Sequence, residues 1–193
     1  MPTTAPPHHV AVLDDAVSYA AACLQPARSC SLDLPTPCTG WRLGSLLLHM
    51  GDSLDALAQA ARFGRVDLDA HPLAVAGDFV DVLELRACAL SAAWHERLTS
   101  APIGVGDLSL GRGTLALVGA LEIAVHGWDV ARTTGRGPAF PEALAVRLLE
   151  VALTLVTPAD RGPRFAPAVA VEATASAGDR LLAHLGRAPY TCV

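Results

Sequence analysis

The run Gly119-Ala-Leu-Glu-Ile-Ala-Val-His-Gly-Trp-Asp-Val-Ala-Arg-Thr-Thr-Gly135 has helical spacing and sets Glu122 four residues before His126. In an α-helix, residues i and i+4 lie on one face about one turn apart, so a carboxylate and an imidazole there can reach a single ion. Asp129 returns to the same face seven residues after Glu122. Leu121, Val125 and Trp128 form an apolar flank suited to a bundle interior, and Gly135 is a natural C-terminal stop. A solvated Glu–His helix pair would explain the same spacing, so the pair needs a partner on another helix to mean more.

That partner is His49. Trp41 to Phe63 reads as a helix with Thr39 or Gly40 as N-cap and Leu43, Leu46, Leu47, Met50, Leu54 and Leu57 as its apolar stripe. His49 lies beside the stripe, where a lone histidine is an ordinary core residue. With Glu122 and His126 it completes a three-ligand set for a divalent ion: Zn(II) first, with nickel, iron or manganese as alternatives. Three protein ligands leave a position open for water or substrate, which is the catalytic arrangement.

Around these two helices the pattern continues. Val10 to Leu24 reads as a first helix closed by Pro26, and residues 27 to 40 as a rigid Ser/Thr/Pro connector containing Cys38. Gly64 to Gly77, with His71, is irregular. Asp78 to Leu98 reads as a third helix whose His95 sits at a wet end, away from the metal. Ala101 to Gly113 reads as a flexible Gly-rich crossover able to border a ligand pocket. Pro141 to Val156 is a further helix, Arg164 to Val171 is extended, and Ser176-Ala-Gly-Asp179 opens a last short helix. Residues 1–193 are expected to form a single helical-bundle domain, with 159–193 as a tail packed on it.

Composition narrows the function classes. The chain has 193 residues, 52% of them hydrophobic and 17% charged, with net charge -5. An acidic balance without a basic cluster argues against nucleic acid. No secretory signal and no apolar run of the ~18–20 residues that span a bilayer are apparent, so the expectation is a cytoplasmic protein with no membrane partner. Five cysteines without a C-x-x-C pair suggest neither a disulfide framework nor a zinc ribbon. Cys38, beside Pro37, reads as structural rather than nucleophilic. All 14 basic residues are arginine, the usage of a very GC-rich genome and, by that reading, an actinobacterial one. Nucleotide-binding loops and the G-x-S-x-G elbow are absent from the sequence.

Pro35-Thr-Pro-Cys-Thr-Gly-Trp41, His49 and Glu122-Ile-Ala-Val-His-Gly-Trp-Asp129 together resemble the DinB-like superfamily, specifically its mycothiol-dependent maleylpyruvate isomerase branch. Phe165-Ala-Pro, Asp179-Arg-Leu-Leu and Leu185-Gly-Arg-Ala-Pro189 are similar to stand-alone actinobacterial members that bind metal. The resemblance implies an all-α, DinB-like four-helix bundle with a short C-terminal extension. It also implies that His49, Glu122 and His126 match the metal ligands, with mycothiol a candidate cofactor if the source is actinobacterial. Many relatives in the wider superfamily have a third histidine where this chain has Glu122; the resemblance implies that the isomerase branch, like this chain, has glutamate there. The larger C-terminal domain that helps build the isomerase active site has only a short tail here as counterpart, so the reaction does not follow from the resemblance.

Three functions fit. The ion activates a low-molecular-weight thiol for isomerisation of, or S-transfer to, a small-molecule substrate, since metal coordination deprotonates a thiol at neutral pH. Alternatively the ion activates water or a tailoring substrate without a thiol, or the chain is a non-catalytic metal- or small-ligand-binding module; a homodimer through a bundle face is left open. Asp129 is expected to hydrogen-bond a ligand or metal-bound water rather than to bind the ion directly.

Overall fold

The computed structural model describes residues 6–67, 78–96, 101–162 and 164–189. Among these the protein is all-α, with six α-helices and one small sheet. The chain divides into two compact units, Met1–Pro138 and Ala139–Val193.

The first unit is a four-helix bundle of α1 (His8–Leu24), α2 (Leu43–Phe63), α3 (Phe79–Glu96) and α4 (Arg112–Thr134). Each carries apolar residues at helical spacing on its inner face: Leu13, Ala16 and Ala20 on α1, Leu46, Leu47 and Leu54 on α2, Leu83 and Leu90 on α3, Ala116, Ala120 and Ala124 on α4. α1 packs chiefly against α4, and α2 against α3 and α4. Burial of those faces, at about 25 cal/mol per Å² of apolar surface, drives the assembly. By length and composition α4 could cross a membrane, more than the sequence reading allowed, yet 72% of its most apolar window is buried inside the protein. It is the core helix of the bundle. Gly135 ends it in the left-handed region at φ +65°, the stop its sequence suggests.

Two segments differ from expectation. α2 begins at Leu43 with Arg42 at its N-cap position, not at Trp41 after Thr39 or Gly40. The reason lies in the preceding loop. Thr36 N–H donates to Trp41 O, Trp41 N–H donates to Cys38 O, and the first-turn amides of Leu43 and Gly44 donate to Leu34 O and Leu32 O. The connector thus supplies acceptors that a capping side chain would otherwise provide.

Residues 101–113, expected to be a flexible crossover, contain a hairpin of β2 (Ile103–Val105) and β3 (Leu108–Leu110), with Gly106 at φ +54° in its two-residue turn. β2 also pairs in parallel with β1 (Arg65–Val66), which orders the segment. His71, Cys192 and the expected end of the third helix at Leu98 lie outside the described residues.

The second unit pairs α5 (Glu142–Leu155) with α6 (Ala177–His184). Glu142 Oε1 accepts from Ala177 N–H at 3.0 Å, so the first turn of α5 satisfies an orphan amide of α6. Ser176 Oγ accepts from Asp179 N–H at 3.1 Å as the S-x-x-D pattern suggests. In so short a helix this cap carries weight: Ser176→Ala is expected to lower stability by ~1 kcal/mol in thermal unfolding.

Candidate metal centre

His49 on α2 faces Glu122 and His126 on α4. His49 Nε2 lies 2.5 Å from Glu122 Oε1, and His126 Nε2 lies 3.2 Å from the same oxygen. The donor atoms of the three residues all fall within 4.8 Å of one another. A tetrahedral ion with bonds near 2.1 Å holds its donors about 3.4 Å apart, so small side-chain movements would admit one. The side chains of His49 and Glu122 are 37% and 36% exposed and that of His126 is 12% exposed, so the cluster is reachable from solvent on the His49–Glu122 side.

Electrostatics tie the cluster together. Burial works against the charge on Glu122, but hydrogen bonds from His126 and His49 outweigh it and hold the carboxyl well below its usual range. Burial likewise opposes protonation of His126. Its hydrogen bonds with Asp129, Cys38 and Glu122 prevail and raise its pKa to about 11.

Asp129 sits behind His126, fully buried, with Oδ2 2.9 Å from His126 Nδ1. A carboxylate at Nδ1 keeps a proton there and turns Nε2 toward Glu122, the tautomer and orientation that a ligand histidine needs. The Cys38 thiol also donates to Asp129 Oδ2, at 3.2 Å, and Cys38 Sγ is 3.8 Å from His126 Nδ1. Cys38, His126 and Asp129 thereby form a second close donor group that shares His126 with the first. Buried carboxylates need such donors, since an unpartnered charge would carry a large desolvation cost.

Sequence reasoning did not single out Trp41 as part of the site. Displaced from the helix by the loop hydrogen bonds, its ring lies edge-on to His49 at 4.9 Å between centroids and roughly parallel to His126 at 6.2 Å. It covers part of both imidazoles. Ser53, one turn beyond His49, donates to Glu122 Oε1 at 3.4 Å, and its i+4 spacing was a readable signal. His95 is elsewhere, with Nε2 2.7 Å from Asp14 Oδ2.

Comparison with known proteins adds to this geometry. Residues 13–131 match the family described as mycothiol maleylpyruvate isomerase N-terminal domain. Two uncharacterized proteins of Mycobacterium tuberculosis, from strains CDC 1551 / Oshkosh and H37Rv, are each 30% identical over 175 residues, covering 86% of this chain and 91% of theirs. No solved structure matches.

Proposed function

From the membership of this chain in the mycothiol maleylpyruvate isomerase N-terminal domain family, we propose a divalent-metal-dependent enzyme that uses a low-molecular-weight thiol, mycothiol by family, for S-transfer or isomerisation. The observation that carries the proposal is the convergence of His49, Glu122 and His126 from two helices, with donor atoms within 4.8 Å of one another. Two imidazoles and one carboxylate suit zinc and other first-row divalent ions. Such an ion, when bound, keeps a coordinated thiol deprotonated at neutral pH.

The chain's own residues have distinct tasks in this reading. His49, Glu122 and His126 hold the ion. Asp129 fixes the His126 ring through Nδ1, and Cys38 anchors Asp129 from the loop before α2. Trp41 shields the imidazoles from water on one side. Ser53 holds the Glu122 carboxylate against rotation.

Cobalt-substituted protein titrated with mycothiol tests the proposal: the visible spectrum should shift saturably as sulfur joins the ion. An unchanged spectrum at saturating thiol would overturn the thiol reading, and oxygen-uptake and hydrolysis assays would then examine the thiol-free alternative. Asp129→Asn should weaken metal affinity by about 10–100-fold, the usual effect of losing an outer-shell partner, as read by competition with a chelator.

A further inference from the structure

His126 has a carboxylate at each ring nitrogen. Glu122 Oε1 lies 3.2 Å from Nε2, and Asp129 Oδ2 lies 2.9 Å from Nδ1. Either nitrogen can therefore keep its proton in a charge-assisted hydrogen bond while the other gives its lone pair to an ion. On the Nε2 side the further donors are His49 and Glu122, an imidazole and a carboxylate. On the Nδ1 side they are Asp129 and the thiol of Cys38, so the two close donor groups among the described residues differ in sulfur.

The Nδ1 side has the dimensions of a coordination triangle. Its edges are 2.9 Å from Nδ1 to Asp129 Oδ2, 3.2 Å from the same oxygen to Cys38 Sγ and 3.8 Å from Sγ back to Nδ1. A tetrahedral ion with one nitrogen, one oxygen and one sulfur ligand spaces them about 3.4–3.6 Å apart, so each edge has to change by no more than roughly half an ångström. Charge favours the same place. Asp129 is fully buried and the His126 side chain is 12% exposed. A divalent ion held by one thiolate and one carboxylate is neutral as a unit, which lowers the cost of keeping it out of water. Entry is from the connector, where Cys38 is half-buried. Thiolate prefers soft ions, whereas a group of two imidazoles and one carboxylate suits borderline and harder ones.

We propose that Cys38, Asp129 and Nδ1 of His126 form a second metal site, selective for soft ions such as cadmium(II), and that an ion there excludes the one held by His49, Glu122 and His126, because both need the same imidazole. Binding releases the thiol proton and the Nδ1 proton to solvent, forms one bond each to sulfur, nitrogen and oxygen, and leaves Nε2–H donating to Glu122. A soft ion thus empties the first centre from behind His126, by holding the tautomer in which Nε2 is no longer a ligand. The exclusion rests on the proposed metal centre; the second site itself does not.

Cadmium chloride titrated into metal-free, reduced protein without added thiol should give a sulfur-to-cadmium charge-transfer band in the ultraviolet that saturates at one equivalent. The band should be lost in Cys38→Ala and kept in Cys88→Ala, which removes an exposed thiol outside the group. ¹¹³Cd NMR of the wild-type protein counts sulfur ligands without any substitution, and one is expected. In zinc-loaded protein an indicator dye should register zinc released in step with the band. No band at one equivalent, a band that survives Cys38→Ala, or a cadmium resonance showing no sulfur or several would overturn the second site. Zinc that stays bound while the band saturates would overturn the exclusion. His49→Ala separates the two readings, since the cadmium band should remain there while zinc binding is lost. A normal cadmium band in a wild-type protein that holds no zinc speaks against the first centre alone.

Discussion

His49→Ala is expected to abolish stoichiometric metal binding while leaving the helices intact. The side chain is 37% exposed, so its removal opens little core, and the apolar stripes of α1 to α4 hold the bundle without an ion, unlike a small zinc finger that needs its metal to fold. What disappears is the donor from the second helix. Glu122 and His126 then remain as two ligands on one helix, and the loss in affinity should exceed the ~10–100-fold that an outer-shell change produces. Elemental analysis after dialysis against a mild chelator, alongside circular dichroism, reads both quantities. Full metal occupancy in the variant would show that α2 supplies no ligand. Glu122→Gln should fall between wild type and His49→Ala, since it exchanges an anionic oxygen for a neutral one at the same place.

Gly127→Leu should destabilise the protein by about 3 kcal/mol, the upper end of the usual overpacking cost. A Cβ at Gly127 would lie 2.9 Å from Ala20 Cα and 3.0 Å from Ala20 Cβ, so the obstacle is the backbone of α1, which cannot swing aside as a side chain can. Those helices form the main pairing of the bundle, and forcing them apart would also disturb His126 and Asp129 beside the glycine. Gly119 on the same helix provides the control. A Cβ there meets only side-chain atoms of Leu57, its methyls at 2.6 and 2.7 Å and Cγ at 3.2 Å, so that side chain must shift but no backbone stands in the way, and alanine gains about 1 kcal/mol of helix propensity. Gly119→Ala should therefore stay near neutral while Gly127→Leu lowers the melting temperature by roughly 6–12 °C. Equal melting temperatures for Gly127→Leu and wild type would disprove the close packing of α1 on α4.

Both predictions bear on the packing and ligands of α4, and α4 is where the sequence was most explicit. The spacing of Glu122 and His126 follows from the α-helical repeat alone, as do Gly135 at the C-terminus and Ser176 at the start of α6, because these features depend on residues within a turn or two of each other. The motifs around Trp41, His49 and Glu122 carried the family and hence the four-helix architecture. Tertiary structure alone decided the rest. Cys38 reaches Asp129 across 91 positions, a distance no local period encodes, whereas the approach of His49 to Glu122 across 73 was expected from their shared ligand chemistry and the family resemblance. Trp41 belongs by local pattern to the helix that follows it, yet hydrogen bonds from Thr36 and to Cys38 hold it in the loop and set its ring against the imidazoles. The Gly-rich run after residue 101 looks flexible in isolation and becomes a hairpin because Arg65 and Val66 offer β2 a neighbouring strand. The small apolar space beside Glu122 and His126 is lined from all four helices, so it is a property of packing that no single helix sequence contains.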